Sequence, residues 1–177
     1  SFGEIDKLAK MGVMDAAISL NEVKVLKGAK KTDGAKSRTL RGVPKLMDAN
    51  YAGGPKSHLC TLILCEGDSA KAGIVSGLTK EDRNNIGVFP LKGKLVNTRD
   101  LQQSKINNND EINNIKKIVG LVTNKKYKDE IEVKKTLRYG KILIMTDQDL
   151  DGSHIKGLCI NMFHSQWHDL VKLNDFL

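Results

Sequence analysis

Two short runs of acidic residues carry the strongest chemical signal in this 177-residue sequence. One is Glu66 with Asp68 across Gly67; the other is Asp147, Asp149 and Asp151, followed by Gly152. In an extended chain, residues two apart point the same way, so Asp147 and Asp149 are expected to converge on one patch. If Glu66 lies beside them, three or four carboxylates share a small volume and repel one another, so some must protonate or a cation must bind. An all-oxygen set with no His or Cys among the ligands favours Mg2+, with Mn2+ or Ca2+ able to substitute. The bland alternative is a set of surface turn acids. The Asp-x-Asp-x-Asp-Gly spacing also invites a calcium-loop reading, which wants Glu at its twelfth position and a helix before it. Counted from Asp147, the twelfth residue is Leu158, and an apolar strand-like run precedes the loop, so that reading fails twice.

Basic and neutral polar residues supply a second set of candidates. Lys92 and Lys94 flank Gly93 between Pro90 and Asn97, a loop able to bring N–H groups and ammonium charges up to phosphate. It lacks the glycine-rich Gly-Lys-Ser/Thr run of a Walker A loop, and taken alone it is more often a solvated turn. His154, just past the acids, suits a phosphate contact better than a place among hard oxygen ligands. His164 and His168 have a spacing that zinc sites use, but with no third ligand evident they read as a solvated helix face. Tyr51, Tyr127 and Tyr139 sit in no nucleophile setting, so no catalytic tyrosine is expected in this chain.

These residues need a scaffold, and the pattern supplies one. Residues 61–65 form an unbroken apolar run, as expected of a strand buried on both faces of a parallel sheet. Asp68 and Ser69 can cap a short helix ending near Gly77. Residues 86–89 read as a second strand ended by Pro90, and Lys141–Met145 as a third buried strand. Asn109 or Asp110 can cap a helix carrying Ile112, Ile115, Ile118 and Val119, stopped by Gly120. Ser153 opens another with the stripe Ile155, Leu158, Met162, Trp167, Leu170 and Val171. Such alternation predicts an α/β fold, a mainly parallel sheet with flanking helices. Sites in such sheets form at the carboxyl ends of the strands, where both acidic runs fall. Ahead of this, Phe2, Ile5, Leu8, Met11, Met14, Ile18, Val23 and Leu26 predict an amphipathic helix, followed by an exposed basic linker over residues 27–42. The expected division is an N-terminal helical arm with its linker, residues 1–43, and a compact domain, residues 44–177.

Composition narrows the partners. A formal charge of +8, concentrated in residues 24–45, at Lys92 and Lys94, and in residues 116–141, points to a polyanion, nucleic acid first. Three cysteines without a Cys-x-x-Cys pair argue against a disulfide framework and suit a reducing compartment. Cys60 and Cys65 read as small buried hydrophobes. No apolar run approaches the roughly 20 residues that span a bilayer, and no signal peptide is evident, so no membrane partner is expected. A start at Ser1 suggests a segment of a longer polypeptide.

Three longer strings then resemble a known family. Leu64-Cys65-Glu66-Gly67-Asp68-Ser69-Ala70-Lys71, the run from Pro90 to Asn97, and the run from Met145 to Gly157 are similar to the type IIA DNA topoisomerases, in particular their eukaryotic branch. Glu66 with the Asp pair is the general TOPRIM signature, shared with primases and some nucleases. The resemblance implies a Rossmann-like TOPRIM fold with Glu66, Asp147 and Asp149 as Mg2+ ligands and Asp151 as an additional or outer acid. Glu66 becomes a candidate to shuttle a proton at the 3′ oxygen. Lys92, Lys94, Asn97 and His154 become DNA contacts. Lys92 stands where many eukaryotic members have Arg, and Cys65 where Thr is frequent. The implied reaction is attack by a tyrosine outside this chain on a DNA phosphodiester, within an ATP-dependent homodimer that passes duplex DNA through a transient break. That in turn implies the nucleus, or a viral replication site, as its place of work. The alternatives are another TOPRIM enzyme, primase or nuclease-like, or a non-catalytic metal- or DNA-binding module.

Overall fold

Three parallel strands form the sheet, in the order β2-β1-β3. They are β1 (Thr61–Glu66), β2 (Ile86–Leu91) and β3 (Lys141–Met145). A computed structural model describes residues 2–92 and 95–177, and the side chains of all of these except residues 2–6, 8 and 9. Helix α1 (Phe2–Thr32) precedes the sheet, and α2 (Gly67–Gly77) and α3 (Asp82–Asn85) link β1 to β2. Helices α4 (Gln103–Asn107), α5 (Asp110–Val119) and α6 (Glu130–Thr136) link β2 to β3, and α7 (Leu150–Gln166) and α8 (His168–Val171) follow it. The predicted α/β fold, a parallel sheet between helices, is the observed one.

The apolar run at β1 takes the central position because both its faces can be buried. Leu62 and Leu64 enter the main core with residues of α5 and α7, including Ile112, Ile115, Cys159 and Met162. Ile63 and Cys65 face the other way, with Val88 and the half-buried Ile74 of α2. All three cysteines are free and buried. Strand β2 runs through Pro90, where the sequence suggested a stop, because β2 is an edge strand. The Val88 N–H bonds outward to Met47, so Pro90, two residues on, lacks an N–H only on that outer side.

Two expectations are corrected. The strand β3 is not buried on both faces: Ile142 is buried, while Leu143 and Met145 are exposed at the opposite edge of the sheet. An unbroken apolar run cannot by itself distinguish a central strand from an edge one. The second concerns residues 27–42, expected as an exposed linker. Helix α1 continues through Thr32, and Ala29 is buried. Beyond it, the Gly34 N–H donates to Leu121 at 2.8 Å, and Asp33 pairs with the buried Lys116 at 2.9 Å. The Ser37 carbonyl accepts from Arg138 at 2.7 Å. Residues 33–37 dock largely through backbone groups, which composition does not reveal. The converse holds earlier in α1, where Met11, Met14, Ile18, Val23 and Leu26 are exposed despite their helical spacing. Among the described residues, no helix is long and apolar enough to cross a membrane.

Candidate metal and DNA site

Parallel pairing of β1 with β3 brings the two acidic runs together. Cys65 lies opposite Met145 in the register, so Glu66 and Asp147 leave the sheet at the same end. Both line one small cavity of about 140 Å³, with Cys65, Ala70, Ile74, Met145 and Thr146. Two glycines shape the turns. Gly67, at φ +80°, adopts a conformation that side chains rarely tolerate, and it converts the strand into α2 directly after Glu66. At Gly152 an added Cβ would stand 2.1 Å from the Asp147 carbonyl oxygen, so α7 can seat against Asp147 only with glycine there.

Helix α7 begins at Leu150, three residues earlier than Ser153, because Asp149 itself is the N-cap. Its carboxylate accepts from the Gly152 N–H at 2.6 Å. Asp151 then lies in the first helical turn. Carboxylates at a helix N-terminus meet its partial positive charge, which offsets part of their mutual repulsion. Across from them, Glu66 is half-buried, and its Oε2 is out of solvent with no hydrogen-bond partner among the described residues. Burial pushes its carboxyl above the usual range, and the charges of Asp149, Asp147 and Asp151 push it further in the same direction. Asp68 belongs to a different environment. Lys45 bonds it at 2.7 Å and holds its carboxyl below the usual range, which removes it from the unpaired set.

The carboxylates suit a hard divalent cation: Glu66, with one oxygen out of solvent and unpartnered among the described residues, feels the charges of three aspartates. Among the described residues, no group of three or more His, Cys, Asp or Glu side chains lies close enough together to hold a metal ion, so the expected convergence of three or four carboxylates in one small volume is not seen here.

Three of the four expected DNA contacts fall among the described residues. Lys92 is exposed just past β2, in a cleft of about 770 Å³ shared with Glu111 and Lys117. Lys94 lies outside the described residues. Asn97 is exposed, and its Oδ1 accepts from the Arg99 N–H at 3.1 Å and from Asn161 Nδ2 at 2.7 Å. His154 is exposed on the second turn of α7. His164 and His168 meet edge to face, 4.5 Å between ring centres, and both are exposed. Tyr127 and Tyr139 are buried, and burial raises both phenols, Tyr127 to about 12, which fits neither for nucleophilic attack. A further hollow of about 500 Å³ opens at the other end of the strands, around Thr61 and Lys141, away from every acid discussed above.

Sequence reasoning missed several positioning residues. Lys116, on the apolar stripe of α5 between Ile112 and Val119, was a readable signal; it bonds Thr32, Thr123 and Asp33. Arg138, fully buried between Leu137 and Tyr139, joins Asp48, Ser37 and Ile118. Asn161 left no trace in the sequence pattern.

Comparison with known proteins agrees with this geometry. Residues 61–174 match the family described as Toprim domain. DNA topoisomerase 2 of Drosophila melanogaster is 51% identical over 169 residues, covering 96% of this chain and 12% of that protein. DNA topoisomerase 2-alpha of Homo sapiens is 57% identical over 143 residues, 81% of this chain and 9% of its own length. The crystal structure of the Plasmodium falciparum topoisomerase II DNA-binding, cleavage and re-ligation domain superposes with a TM-score of 0.74 at 54% identity, covering 80% of this chain and 19% of that one. The chain thus spans about a tenth of the length of these curated relatives.

Proposed function

Since the chain belongs to the Toprim domain family, we propose that it serves as the metal-binding, DNA-contacting half of the cleavage and religation centre of a type II DNA topoisomerase. The observation that carries this reading is the Glu66 carboxylate, unpartnered at Oε2 among the described residues and within the charge field of three aspartates, in a chain 51% identical to a DNA topoisomerase 2 over nearly its whole length. Glu66, Asp147 and Asp149 would hold Mg2+, with Asp151 as an additional or outer acid; Mn2+ or Ca2+ can substitute in binding. The ion would supply stabilisation of charge on the scissile phosphate and the departing 3′ oxygen.

The chain's own residues do the rest. Lys92, Lys94, Asn97 and His154 would grip the DNA backbone and so hold the duplex on this domain. Glu66 is also the candidate to exchange a proton with the 3′ oxygen. The attacking tyrosine and the ATP site belong to other parts of the enzyme, and duplex DNA and a second copy of the polypeptide are its partners. Its place of work is wherever such DNA is held, the nucleus or a viral replication site. DNA cleavage by the complete enzyme, assayed with and without Mg2+, is the test. Cleavage should require the ion and disappear in Asp147→Ala and Asp149→Ala, and full metal-dependent cleavage by either variant would reject the ligand assignment. Hydrolytic nicking by the isolated chain would instead support a nuclease-like Toprim enzyme.

A further inference from the structure

The bonds around Asn97 determine which way its side chain presents itself. A backbone N–H can only donate, so the Asn97 atom 3.1 Å from the Arg99 nitrogen must be its carbonyl oxygen. That same oxygen is 2.7 Å from Asn161, so the Asn161 atom facing it must be the amide NH2. With Oδ1 engaged twice, the Asn97 NH2 is the half of the amide left to meet a phosphate oxygen. Were the amide turned over, a carbonyl oxygen would face the phosphate and repel it.

Asn161 opens the fourth turn of α7, half-buried and anchored by a helix whose Cys159, Met162 and Phe163 are all in the core. One turn further, Ser165 bonds the buried Thr98 at 2.7 Å, so two successive turns of α7 grip two successive residues of the loop. Asp151, His154, Asn161 and Ser165 recur at helical spacing along one stripe of α7. From Asp151 to Asn161 is roughly 15 Å along the axis. The acid centre and the Asn97 anchor are therefore set apart on one rigid rod.

We propose that Asn161 is a positioning residue for DNA binding: it orients the Asn97 amide so that its NH2, not its carbonyl, addresses a backbone phosphate remote from the reacting one. This rests on the reading of Asn97 as a DNA contact. An anchor so far from the metal acids acts on DNA binding and leaves the chemical step alone.

The test measures DNA cleavage by the complete enzyme against duplex concentration at saturating Mg2+, for Asn97→Ala, Asn161→Ala, Asn161→Asp and the Asn97→Ala/Asn161→Asp pair. Asn97→Ala should raise the half-saturating DNA concentration about tenfold, the worth of one hydrogen bond to a charged group. Asn161→Ala should raise it by about threefold, since only the longer bond from the Arg99 N–H then holds the Asn97 orientation. Asn161→Asp keeps the shape but offers only acceptors, so it draws the Asn97 NH2 toward itself against the hold of the Arg99 N–H and should raise it more than Asn161→Ala does. In both Asn161 variants the maximal cleavage rate stays at the wild-type level. The added charge of Asn161→Asp also weakens DNA binding directly, and that part persists without Asn97. The proposal therefore requires its effect to be several-fold smaller in the Asn97→Ala background. An equal effect in both backgrounds, or a lowered maximal rate with unchanged half-saturation, overturns the role given to Asn161. No change in Asn97→Ala alone overturns instead the reading of Asn97 as a DNA contact.

Discussion

Asp48 and the acids at the end of the sheet are held under opposite conditions. Asp48 meets the fully buried guanidinium of Arg138 and the hydroxyl of Tyr139, which itself accepts from the Ala49 N–H at 2.9 Å. Arg138 also donates to the Ser37 and Ile118 carbonyls, so this network joins the segment before β1 to the core. At the other site, the charges of Asp149, Asp147 and Asp151 each oppose the ionisation of Glu66, and its Oε2 has no donor among the described residues. An acid whose partner is supplied by its own chain stabilises the fold. A cluster left with unmatched negative charge is a cost to the fold, retained for a partner from outside.

The largest expected effect breaks the satisfied side. Arg138→Leu strips donors from Asp48 and two backbone carbonyls, and should lower unfolding free energy by about 3–5 kcal/mol in urea titrations. A loss under 1 kcal/mol would mean the network is incidental. On the unsatisfied side the sign separates stability from activity. Asp147→Asn should reduce cleavage by the complete enzyme about 100-fold or more, while its unfolding midpoint stays level or rises as repulsion is relieved. A clear fall in stability would place Asp147 with Asp48 instead.

Asp149 lies in both worlds, since its charge opposes the ionisation of Glu66 and its carboxylate caps α7. Asn caps a helix as well as Asp does, so Asp149→Asn should keep stability and lose cleavage. Asp149→Ala should lose both, the stability by about 1 kcal/mol. Equal stability of the two variants in thermal melts would show that the cap contributes nothing.

The acids themselves were legible because their spacing follows from strand geometry and their neighbours on the chain are apolar runs that can only be strands. The order of the strands was less so. Nothing in Lys141–Met145 distinguishes a central strand from an edge, because that depends on what pairs with its far side. Asp149 was read as part of an extended loop, although Asp followed three residues on by the Gly152 N–H also fits an N-cap. Residues 33–37 were misjudged for a deeper reason: much of their anchoring is backbone to backbone, as with Gly34 to Leu121, and side-chain identity is silent about it. Arg138 and Lys116 are buried ions whose partners, Asp48 and Asp33, lie over 80 residues away in sequence, beyond any local pattern.

A third kind of acid sharpens the contrast, with the smallest expected effect. Glu111, in the first turn of α5, is 7% exposed, and its Oε2 has no partner among the described residues. Burial pushes its carboxyl above the usual 4.5; Asp110 adds to this, while the Lys92 backbone N–H and the charges of Lys92 and Lys45 pull it part of the way back. Its partial partner is thus the loop proposed to grip DNA. A carboxyl whose folded value is raised binds more protons in the folded than in the unfolded state, so stability falls as pH rises from about 4.5 through the raised value. Glu111→Gln cannot ionise and escapes that loss. Its melting temperature should exceed the wild type's by about a degree or two at pH 8, and the gap should shrink as pH falls toward 4, where both side chains are neutral. If the variant melts lower than wild type at pH 8, the pull of Lys92 outweighs burial, and Glu111 belongs with Asp48 among the acids that hold the fold together.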